Sequence, residues 1–131
     1  MRKIVLLLMA MCLMWASLLA QEQKAPDPDL AVFQLEELQK QQAERGGPWL
    51  PIMKGENVLT GLYTLKSGAE DRQRPHDTDE VYYVVSGQGK FVAGGKETDI
   101  KAGSILFVKA EVEHRFFDIT EDLVLVVFFD Q

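Results

Sequence analysis

Gly68-Ala69-Glu70-Asp71-Arg72-Gln73-Arg74-Pro75-His76-Asp77-Thr78-Asp79-Glu80-Val81-Tyr82-Tyr83-Val84-Val85-Ser86-Gly87 is the stretch on which the reading of this chain turns. Its first half is polar and acidic; its second half is a run of β-branched and aromatic residues closed by a glycine, the composition of a loop feeding a buried strand. Residues of equal parity share one face of an extended chain, so Arg74, His76, Glu80 and Tyr82 point the same way if the strand runs unbroken. The chain has 2 histidines, and the other, His114, stands about three strands further on. Two imidazoles and a carboxylate turned to one interior make a 2-His-1-carboxylate set, which grips an ion and leaves positions open for water or substrate.

Working outward, segments of similar composition stand at 58–65, 81–85, 90–93, 97–100, 104–108, 114–117 and 123–129. Turn-forming residues separate them at 66–69, 86–89, 94–95, 101–103 and 120–122. Short strands at such regular spacing, with no helices between, predict an all-β antiparallel sandwich or barrel. The runs 81–85 and 123–129 do not alternate with polar residues, so both of their faces need cover. A helix at 30–42, the segment 49–53 or a second subunit can supply it, and a homodimer is the favoured expectation. The helix is read from Leu30, Phe33, Leu35 and Leu38 at near-helical spacing, with Asp29 as its cap and Arg45-Gly46-Gly47-Pro48 as its stop.

The first twenty residues pose a separate problem. Met1-Arg2-Lys3 is followed by an uncharged apolar run to Ala20 and then by Gln21-Glu22-Gln23-Lys24, the plan of a secretory signal peptide. The expected organisation is a signal peptide over 1–20, or an uncleaved N-terminal anchor, a linker over 21–29 and a single domain over 30–131. Export to a secreted or periplasmic location follows, with membrane contact only through an uncleaved segment. Cleavage removes the only cysteine, Cys12, so metal chemistry falls to His, Asp and Glu. The net charge of -6 leaves no basic surface for a phosphate backbone, which argues against a nucleic-acid partner. The 131 residues, 47% hydrophobic and 26% charged, suit one ordinary globular domain.

The spacing of the first stretch resembles the cupin superfamily, whose first motif is G-x5-H-x-H-x3,4-E-x6-G. Gly68, His76, Glu80 and Gly87 match it, while Arg74 holds the place of the first histidine. The second motif, G-x5-P-x-G-x2-H-x3-N, aligns on Gly103 and His114, with Lys109, Glu111 and Asp118 at the positions usually occupied by Pro, Gly and Asn. The resemblance implies a double-stranded β-helix, or jelly-roll, barrel with one short N-terminal helix.

It also implies one divalent metal ion, Zn, Mn, Fe, Ni or Cu, held by His76, Glu80 and His114 and acting on a small organic molecule. Dioxygenases, isomerases and lyases occur among similar proteins, and the reaction type stays open. The other readings are a non-catalytic module for a small-molecule ligand or metal, and a metal-free dimeric scaffold. Arg74 either enters the pocket, where its fixed charge repels a cation and suits an anionic substrate, or turns outward to the rim. Tyr82 and Phe116 stand as substrate or rim residues, with Phe107 and Phe128 as further walls if their strands face inward. Gln73 is a conceivable extra oxygen ligand whose parity points it away. Asp118 either orients His114 from behind or begins a turn. Glu70, Asp71, Asp77 and Asp79 read as a solvated rim that draws cations to the opening.

Overall fold

The computed structural model describes residues 29–131; the expected signal segment and all of the expected linker except Asp29 lie outside the described residues. Val32–Gln131 form one compact unit. It consists of a helix, α1 (Leu35–Arg45), followed by β1 (Trp49–Lys54), β2 (Val58–Leu65), β3 (Glu80–Ala93), β4 (Lys96–Lys101), β5 (Ile105–Val108) and β6 (His114–Asp130). The strands pair antiparallel in the order β1-β2-β6-β3-β4, with β5 added to β3.

Two of the expected turns do not break the chain. Residues 86–89 lie inside β3 and residues 120–122 inside β6, so each pair of expected strands is one long strand. Gly87 makes this workable. It sits at φ 97°, where a side chain is strained, and a Cβ there would collide with the carbonyl of Asp122. The β3–β6 register shifts repeatedly between Val84 and Lys90, so the ladder bends without ending.

The bend folds the sheet over on itself. Before it, Tyr82 of β3 lies opposite Leu106 of β5 and Val127 of β6. Beyond it, Phe91 lies opposite Thr98 of β4 and Phe116 of β6. Tyr82, Val84, Leu125 and Val127 from one half thus pack with Phe91, Ile100, Phe116 and Ile119 from the other in one core. The result is the expected jelly-roll β fold with one short helix.

The second apolar face is covered in part from within the chain. Leu38 of α1 packs with Leu50, Leu62 and Val124, and Val85 and Val126 lie at the margin of this second cluster. Tyr83, Ile105, Phe107 and Phe128 remain exposed. The helix begins later than its spacing predicts: Gln34 stands at its cap without a side-chain bond, and Leu30 and Phe33 are exposed. Periodicity alone does not hold a helical turn that has nothing to pack on. Among the described residues no helix is long and apolar enough to cross a membrane.

Candidate metal centre

Glu80 and His114 are the first residues of β3 and β6, and both are buried. His76 comes from the loop before β3. That loop is pinned at several points: the Glu111 N–H donates to the His76 carbonyl at 2.7 Å, the Ala110 N–H to Asp79 Oδ1 at 2.8 Å, and the Asp130 N–H to the Asp79 carbonyl at 3.0 Å. The segment preceding β6 is thereby tied to the segment preceding β3, and the three side chains meet. One ligating atom from each of His76, Glu80 and His114 lies within 4.8 Å of the others. His114 Nε2 is 2.9 Å from Glu80 Oε1, and His76 Nε2 is 3.9 Å from Glu80 Oε2.

The side chains behind this group fix its orientation. His114 Nδ1 lies 2.7 Å from the Val112 carbonyl, so it carries the hydrogen and leaves Nε2 for the centre. The Tyr82 oxygen is 2.8 Å from Glu80 Oε2, 2.8 Å from Gln73 Oε1 and 3.0 Å from His114 Nε2. Buried Asp71 accepts from the Tyr63 hydroxyl at 2.6 Å, the Gln73 amide at 2.8 Å and the Phe116 N–H at 2.8 Å.

Burial pulls the His114 pKa down, but the hydrogen bonds to Glu80 and Val112 and the carboxylate charges of Glu80 and Asp71 outweigh it, and the pKa stands above the ordinary value of 6.5. Burial, and after it the Glu80 charge and hydrogen bond, push the Tyr82 hydroxyl far above its ordinary range, so it stays protonated. Burial and Asp71 do the same to Tyr63.

This donor set fits a cation. Glu80 Oε2, the Gln73 amide oxygen and the His114 ring nitrogen surround a tyrosine hydroxyl that has one hydrogen to give. Lone pairs outnumber hydrogens, and a positive charge satisfies the excess. His76 and Tyr82 also line a cavity of about 590 Å³, whose apolar walls are Trp49, Leu59, Leu65, Val127 and Phe129.

The sequence pattern of the Cupin_2 family, described as a cupin domain, matches residues 61–129. The chain belongs to this cupin family. An uncharacterized protein of Streptomyces coelicolor is 43% identical over 100 residues, covering 76% of this chain and 95% of its own. Among solved structures, the TT1209 protein of Thermus thermophilus superposes with a TM-score of 0.61 at 20% identity, over 77% of this cupin and 97% of that chain. An RmlC-like cupin from Shewanella frigidimarina superposes with a TM-score of 0.58 at 23% identity, over 65% of this chain and 78% of its own. At these identities the superpositions speak for the fold.

Within this cupin, His76, Glu80 and His114 converge as their spacing predicts, and Tyr82 joins them. Arg74 is exposed and is not among the residues that line the cavity. Five expectations need correction. Asp118 does not orient His114: it is exposed, sits at φ 45° and lies 3.9 Å from Lys90, while the Val112 carbonyl does the orienting. Phe116 is 1% exposed and packs on Phe91 and Tyr82 in the core, so it is no rim residue. Phe107 and Phe128 are exposed and are not among the residues that line the cavity. Asp71 is buried rather than a solvated rim residue. Gln73 turns inward because residues 69–79 form no strand, so parity does not govern them. The aromatic wall of Trp49 and Phe129 was not read from the sequence. Its one local signal is Gly61, where a Cβ would meet the Trp49 ring.

Proposed function

We propose that this cupin binds one divalent metal ion, Zn, Mn, Fe, Ni or Cu, through His76, Glu80 and His114, and acts on a small organic molecule in the adjoining cavity. The observation that carries this is the convergence of the three ligating atoms beside a largely apolar cavity. An ion held there supplies a Lewis acid that polarises an oxygen of the bound molecule. Trp49, Leu59, Val127 and Phe129 bury its apolar part and exclude water. Tyr82 holds a proton at its hydroxyl beside Glu80, and Asp71 keeps Gln73 aimed at that hydroxyl.

The reading includes export, supported by the uncharged run from Ile4 to Ala20, and pairing as a homodimer, supported by the exposed Tyr83, Ile105, Phe107 and Phe128. Thermal unfolding of chelator-treated protein titrated with each divalent ion tests the site. An ion at a hundredfold excess over its Kd adds about 2.7 kcal/mol of stability. One ion is expected to raise the Tm of the wild type and not of Glu80→Gln. An equal rise in both, or none with any ion, counts against the proposal.

A further inference from the structure

Resting on that metal site, we propose that the hydroxyl oxygen of Tyr82 is a fourth protein donor to the ion, with its hydrogen turned to Gln73 Oε1. The Tyr82 oxygen is 3.0 Å from His114 Nε2, the inward nitrogen, and 2.8 Å from Glu80 Oε2. Donors bound to one ion at about 2.0–2.2 Å stand about 3–3.5 Å from one another. The spacing of these atoms is therefore close to that of neighbours around a single centre.

The oxygen has little freedom to leave. Tyr82 is 1% exposed, and its ring packs against Phe116 at 5.3 Å and Phe91 at 5.9 Å between centroids. Its hydroxyl is directed at two of the candidate ligands, Glu80 and His114.

The single hydrogen has two oxygen acceptors at the same 2.8 Å, Glu80 Oε2 and Gln73 Oε1. Once the Glu80 and His114 lone pairs face a cation, Gln73 is the acceptor that remains. Its amide is held against flipping, because Nε2 donates to Asp71 Oδ2 at 2.8 Å, an oxygen that also accepts from the Phe116 N–H. With the hydrogen on Gln73, the lone pairs of Tyr82 turn toward the ion. Gln73 and Asp71 are positioning residues in this scheme.

Cobalt(II) is the probe, since its visible absorption reports the number and kind of donors. Apo wild type, Glu80→Gln, Tyr82→Phe and Gln73→Leu are titrated with Co(II) in competition with a chelator, and circular dichroism of each verifies the fold. Tyr82→Phe is expected to bind about tenfold more weakly with a changed Co(II) spectrum, and Gln73→Leu to shift the spectrum the same way because the hydroxyl returns to Glu80. A folded Tyr82→Phe with wild-type affinity and spectrum overturns the inference while the three-ligand site stands, provided that Glu80→Gln loses the ion. If Tyr82→Phe does not fold, Gln73→Leu decides: an unchanged spectrum overturns the inference. Absence of Co(II) binding by the wild type overturns both.

Discussion

His114 has a side chain fully out of solvent and both ring nitrogens engaged, one by Val112 and one by Glu80. Its raised pKa has two consequences of known sign. In the metal-free protein the proton on His114 stabilises the fold below the free-histidine value, and that contribution is lost as pH rises through the raised pKa. An ion must displace the same proton, so affinity falls about tenfold per pH unit once the pH drops below it. Chelator competition across a pH series checks this. Asp71 yields a second expectation. Its oxygens accept from Tyr63, Gln73 and the Phe116 N–H, so Asp71→Asn sets an amide against donors and is expected to cost about 1–3 kcal/mol in denaturant unfolding. His76, Glu80 and His114 were legible because spacing and chemistry coincide in them. Asp71 and Gln73 were not, because their roles depend on an irregular loop that no periodicity describes.

At the scale of the elements, glycine spacing was both signal and misdirection. Gly87 reads as the end of a strand, yet its positive φ serves a bend that carries β3 onward. Both halves were therefore recognised while their continuity was not. The loop before β6 holds the converse case. Glu111 occupies the place where the second motif has glycine, and it adopts φ 65° while its N–H supports the His76 carbonyl. A side chain in that region costs about 1 kcal/mol. Glu111→Gly is expected to stabilise the protein by about 0.5–1 kcal/mol, read from the urea midpoint, with metal affinity unchanged. A destabilised variant shows that the Glu111 side chain makes a contribution larger than its strain.

Over the whole molecule, the two-sided apolar strands signalled that cover was needed but not what supplied it. Both α1 and β1 answer for Val85, Val124 and Val126, through a cluster centred on Leu38, Leu50 and Leu62. Leu38→Ala is expected to lower stability by about 2–4 kcal/mol, and thermal or urea unfolding measures it. A change within about 0.5 kcal/mol places the helix outside the cooperative core. The barrel, for its part, brings the starts of β3 and β6 together, and the account stands on what those two strands and the His76 loop hold between them. Elemental analysis of the untagged wild type and of Glu80→Gln, both purified without added metal, is the most direct test. A near one-to-one content of one divalent metal in the wild type, lost in the variant, is the expected result. A wild type without stoichiometric metal, or a variant retaining as much of it, contradicts the account.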